Sequence, residues 1–148
     1  MTTKNELSAD EWRLVREGPP TAGLIVITSA HGGMFRESIA MSKVYAQARA
    51  QHGASELLDE IVAAKPEMDH TRYASPDQLK EHGLEQLHGA VEVLEHKATP
   101  AETDDYRQFV LNLARTVAQA HREQGHAVSP AEDDAIGQIA TALGTSAN

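Results

Sequence analysis

The stretch TPAETDDYRQFVLNLARTVAQAHR, residues 99–122, decides the fold because it combines a helix start, a long apolar stripe and a defined end. Thr99 and Glu102 form a capping box, in which each side chain bonds the backbone N–H of the other residue, and Pro100 falls at the first helical position. A stripe of this length must be covered by other helices, so we predict that this is the central helix. The apolar side chains recur at three- and four-residue steps, at Tyr106, Phe109, Val110, Leu113, Val117 and Ala120.

Three further capping boxes predict where other helices begin. They start at Ser8, Ser75 and Ser129, and each has a glutamate or glutamine three residues later. Leu7, just before the first box, is placed to pack on Trp12 as a hydrophobic staple that anchors the first helix on the core. Amphipathic stripes follow the other two boxes, and we expect Gly144 to end the last helix.

The segment Gly18-Pro19-Pro20 predicts a break near the start of the chain. Proline in a helix interior removes a hydrogen bond and clashes with the preceding turn, whereas it is well placed in a first turn. We therefore expect the first helix to end near Glu17 and a second helix to begin with the two prolines. The apolar run Leu24–Ile27 has the composition of a strand. No second strand accompanies it, so we predict a buried helix that ends at Gly32-Gly33.

The middle of the chain predicts two more helices and a loop. One helix runs from Met34 to about Gln51 with Gly53 as its C-cap, and a short helix over residues 57–62 is stopped by Pro66. Residues 66–74 have no periodicity and are predicted to form a surface loop. The helix that follows contains Gly83 and Gly89, each of which weakens it by about 1 kcal/mol relative to alanine, and we expect it to bend or break there.

These patterns predict an all-α fold. The whole chain, residues 1–148, is expected to form a single compact domain of six or seven helices, with residues 1–7 and 145–148 frayed. A chain of this length buries roughly 70% of its unfolded surface, which is enough for a core without disulfides.

Composition limits the partners and the compartment. The chain has no cysteine, no apolar leader and no run long enough to cross a bilayer, so we predict a cytoplasmic protein without direct membrane insertion. Its formal net charge of -9 argues against nucleic acid and anionic membrane surfaces, which attract clustered lysine and arginine. Neither nucleic acid nor an anionic membrane surface is therefore expected as a partner.

The two halves of the chain resemble each other. In the first half, Val26–His31 leads through a glycine turn to Glu37, and in the second half Val117–His121 leads through Gly125 to Glu132. Each half is thus predicted to be a helix, a turn and a helix, related by a pseudo-twofold repeat. A duplicated helical hairpin in which an Ala-x-Gly-type turn precedes a glutamate resembles the TerB-like family of tellurite resistance, small all-helical proteins of bacterial stress operons.

The resemblance implies a pseudo-twofold helical fold without catalytic activity, divalent-cation binding through acidic turn residues, and partners in a membrane-associated stress complex. The family's turn begins Ala-Asp-Gly, whereas this chain has His31 and His121 in place of the acid. Calcium and magnesium prefer oxygen ligands, but histidine combined with glutamate suits zinc, nickel or copper. The candidate metal ligands are therefore His31, Glu37, His121 and Glu132. Alternatively, each histidine simply ends its helix beside the last carbonyl groups, where a positive charge is favourable.

A second spacing with metal chemistry occurs twice. Glu85-x-x-His88 and Glu123-x-x-His126 match the motif of di-iron helical bundles, which also need an inward carboxylate from each of two further helices. The residues around the first pair, including Glu81, Glu92 and Glu95, instead indicate a solvent-exposed face.

Three function hypotheses follow from the sequence. The favoured one is a non-enzymatic accessory or interaction module of the TerB-like kind in a bacterial stress or metal response. The second is a divalent metal-binding helical protein that uses the turns at His31 and His121. The third is a helical enzyme with a buried polar pocket, which converging polar groups with perturbed pKa values would reveal.

Overall fold

The computed structural model describes residues 7–29, 34–50, 56–63, 76–123 and 130–144, and within these ranges it contains α-helices and no strand. The all-α prediction is therefore confirmed, and so is the helical prediction for Leu24–Ile27. The helices are α1 (Ala9–Ser29), α2 (Met34–Ala50), α3 (Glu56–Val62), α4 (Pro76–Lys97), α5 (Pro100–Glu123) and α6 (Pro130–Leu143).

Two of the predicted helix starts are present in full. The backbone N–H of Ser8 donates to Glu11 Oε1 at 2.8 Å, and the N–H of Glu11 donates to Ser8 Oγ at 3.1 Å. The same reciprocal pair joins Thr99 and Glu102, at 3.4 Å and 3.1 Å. Both boxes satisfy N–H groups that have no partner inside their own helix.

The predicted end of α6 is also confirmed. Gly144 has a φ of +76°, a backbone conformation that favours glycine, and its N–H donates to the Thr141 carbonyl at 3.0 Å. The predicted boxes at Ser75 and Ser129 and the predicted features at 32–33, 53 and 66–74 lie outside the described residues.

The predicted break at Gly18-Pro19-Pro20 is wrong. α1 runs without interruption from Ala9 to Ser29, and both prolines lie inside it. The donor that Pro19 lacks is supplied by the Tyr106 hydroxyl of α5, which bonds the Val15 carbonyl at 2.8 Å. The expected break at Gly83 and Gly89 does not occur either, since α4 is continuous over both.

The second half of α1 is the centre of the molecule. All of residues 18–26 are buried, and α1 contacts α2, α4, α5 and α6. The predicted central helix, α5, contacts α1, α2, α3, α4 and α6, and its exposed side includes Gln108, Asn112 and Arg115, which the sequence placed off the apolar stripe. A helix that is apolar on all sides is normally buried on all sides, and the sequence GPPTAGLIV has this character.

Small residues of α1 let its neighbours approach closely. A Cβ atom added to Gly23 would lie 3.1 Å from Leu113 Cδ2, and one added to Gly18 would lie 2.1 Å from the Tyr106 hydroxyl oxygen. Gly18 lies beside Tyr106, and Gly23, further along α1, lies beside Leu113, further along α5. The helices α1 and α5 therefore run in the same direction.

The other long helices run the opposite way. Residues at the start of α4 face the second half of α1, where a Cβ on Gly83 would lie 2.8 Å from Ile25 Cδ1. The last residue of α4, Lys97, bonds Glu11 in the first turn of α1 at 2.6 Å. α2 is antiparallel to α5. Its Tyr45 contacts Phe109, whereas its earlier residue Met41 lies near Gly23, which is beside the later α5 residue Leu113.

Two glycine-to-alanine substitutions test this packing. Gly18→Ala is expected to lower the free energy of unfolding by about 1–3 kcal/mol, because its Cβ would overlap the fixed hydroxyl of Tyr106. Gly137→Ala is the control, since no atom lies within 4 Å of its added Cβ, and it should stabilise the protein by about 0.5–1 kcal/mol through helix propensity. Urea unfolding measures both, and equal effects of the two substitutions would contradict the close approach at Gly18.

Candidate functional site

The structure does not describe the side chains of the four predicted metal ligands. α1 ends at Ser29, and His31 lies outside the described residues. Glu37 is in the first turn of α2, His121 is in the last turn of α5 and Glu132 is in the first turn of α6. The structure describes the backbone of these three residues but not their side chains, so the metal site stays a prediction.

The backbone brings the helix ends that carry these residues to one end of the bundle. Val15 is level with Tyr106 and Gly23 with Leu113, so the same register places Ser29 near residues 119–120 of α5. α2 runs antiparallel to α5 and therefore begins at this end. α6 begins seven residues after the described end of α5 and finishes beside Arg107, so it also begins there.

The Glu85–His88 pair lies on an exposed face of α4, as the sequence indicated. The His88 Nε2 atom is 3.0 Å from Glu92 Oε1, and both side chains are more than half exposed. Among the described residues, no group of three or more histidine, aspartate or glutamate side chains is arranged to hold a metal ion. The second pair is described only as far as Glu123.

The exposed face of α4 is acidic along its whole length. Its carboxylates recur at four-, seven- and three-residue steps, which places them on one side of a helix. One of them, Glu95, pairs with Arg107 of α5 at 2.9 Å. We call this set the α4 acidic row: Asp77, Glu81, Glu85, Glu92 and Glu95, all exposed.

A fully buried polar contact joins α5 to α1. The Tyr106 hydroxyl donates to the Val15 carbonyl at 2.8 Å, and neither residue is exposed to solvent. In a regular helix this carbonyl would accept the N–H of residue 19, but residue 19 is proline and has no N–H. The hydroxyl thus supplies the missing donor, and Gly18 leaves the space that it occupies.

Burial also controls the protonation of this hydroxyl. Desolvation raises the pKa of Tyr106 far above its usual value, because the phenolate would be unsolvated in the core. The phenol is therefore protonated at neutral pH and can donate to the Val15 carbonyl.

A second buried tyrosine has no comparable role. Tyr45 of α2 is 1% exposed, and its ring meets Phe109 edge to face with centroids 5.6 Å apart. Within the described residues its hydroxyl makes no hydrogen bond. Burial again raises the pKa of this phenol, so Tyr45 is neutral.

Two arginines donate hydrogen bonds to carbonyl groups at helix ends. Arg107 Nε donates to the Leu143 carbonyl at the end of α6 at 2.7 Å, while its two terminal nitrogens bond Glu95 and Asp104, each at 2.9 Å. Arg49 Nε donates to the Val62 carbonyl at the end of α3 at 2.5 Å. Both satisfy carbonyl groups that the helix leaves unpaired. Sequence reasoning missed both, since no local spacing links residues 36 or 13 positions apart.

No protein-family model, curated protein or solved structure matches the chain. The TerB-like resemblance and the pseudo-twofold repeat therefore stay predictions from the sequence. Across the described ranges, none of the helices is both long enough and apolar enough to span a membrane.

The two buried tyrosines provide a matched test of the contact between α5 and α1. Tyr106→Phe should lower the free energy of unfolding by about 1–3 kcal/mol, because the Val15 carbonyl would be buried without a donor. Tyr45→Phe removes an equally buried hydroxyl that has no partner among the described residues, so it should cost little or stabilise the protein. Urea unfolding of both variants gives the comparison. Similar losses would show that the hydroxyl of Tyr106 has no special role.

Proposed function

We propose that the chain is a non-enzymatic interaction module of the TerB-like kind that binds a protein partner in a cytoplasmic stress response. The observation that supports this proposal is the bonding of polar side chains inside the bundle: Glu102, Thr103 and Tyr106 are buried and each bonds to the protein's own backbone. The charged groups that remain accessible to a partner lie on the outside of the bundle.

The contacts inside the bundle illustrate this division. Tyr106 bonds the Val15 carbonyl, and the Thr103 hydroxyl lies 3.3 Å from the Leu94 carbonyl and 3.0 Å from the Thr99 carbonyl. The buried carboxylate of Glu102 accepts from the backbone of Thr99 in the capping box. These groups stabilise helix ends and helix contacts, which is the role expected of a rigid scaffold.

The exterior indicates the charge of a suitable partner. The chain carries a formal net charge of -9, and the α4 acidic row contributes five exposed carboxylates to one side of the bundle. Such a surface accelerates association with a positively charged protein and disfavours nucleic acid. We therefore infer a basic protein surface as the partner, and the resemblance implies that it belongs to a membrane-associated stress complex.

Two charge-matched variants test this proposal. Glu81, Glu85 and Glu92 of α4 are changed to glutamine in one variant. In the control, three exposed acids of α5 and α6 are changed to asparagine, Asp105, Asp133 and Asp134. Proteins cross-linked to each variant in its own cells are quantified by mass spectrometry. We expect a partner whose recovery falls at least tenfold with the α4 variant and is retained with the control.

The control separates a specific contact from general attraction, because both variants remove three negative charges. Equal losses with the two variants, or no protein recovered at stoichiometric amounts with the unaltered chain, would contradict the proposal. Thermal unfolding of both variants should remain close to that of the unaltered chain, since exposed charges contribute little to stability.

Divalent-metal binding is the second candidate, and the backbone register favours it. α1 and α5 end at the same end of the bundle, where α2 and α6 begin, so the backbone positions of Glu37, His121 and Glu132 lie at one end. His31 follows the end of α1 by two residues in the sequence. Zinc, nickel and copper are the ions that such histidine and carboxylate ligands would select.

Thermal unfolding with added zinc or nickel tests the metal site. A metal that binds only the native protein must raise the midpoint, and His31→Ala and His121→Ala should each abolish the rise. His88→Ala on the exposed face of α4 is the control and should keep it. An unchanged midpoint in the unaltered protein, or a rise that survives both substitutions, would show that the two histidines bind no metal.

A further inference from the structure

We draw no further inference here: the strongest candidate, the α4 acidic row on the outside of the bundle, belongs to the surface already proposed to bind a basic protein.

Discussion

The hydrogen bond from the Tyr106 hydroxyl to the Val15 carbonyl is the constraint on which the rest of the architecture depends. A proline inside a helix costs about 3 kcal/mol, because one carbonyl loses its donor and the proline ring crowds the same carbonyl. Here the donor comes from α5, at 2.8 Å, and Gly18 provides room for it. α1 consequently passes as one helix through the centre of the molecule, and its second half is buried against four other helices.

Much of the fold was predictable because its signals are local. The capping boxes at Ser8 and Thr99, the glycine that ends α6 and the helical state of Leu24–Ile27 each depend on residues within a few positions or on the absence of a partner strand. The break at Pro19 was predicted wrongly for the opposite reason. The donor that compensates for it is the Tyr106 hydroxyl, 91 residues from the Val15 carbonyl that it bonds, and no local pattern reveals this contact.

The functional groups were less predictable than the fold. The internal similarity of the sequence pairs His31 with His121. α1 and α5 run in the same direction, which agrees with both helices finishing at the same end of the bundle. Whether imidazole and carboxylate groups converge there depends on side-chain positions, and a sequence pattern does not fix these. The exposure of Glu85 and His88 was foreseen from their polar neighbours, whereas the carbonyl contacts of Arg107 and Arg49 follow only from the packing of separate helices.

A double-mutant cycle between residues 19 and 106 tests the central constraint most directly. Pro19→Ala restores an N–H that can donate to the Val15 carbonyl, so the hydroxyl of Tyr106 is no longer the only donor from these two positions. We predict that Tyr106→Phe lowers the free energy of unfolding by about 1–3 kcal/mol in the unaltered chain, as measured by urea unfolding. When residue 19 is alanine, the loss caused by Tyr106→Phe should be smaller by about 1 kcal/mol or more. The same cost in both backgrounds would contradict the account, because it would show that the hydroxyl does not replace the donor that Pro19 lacks.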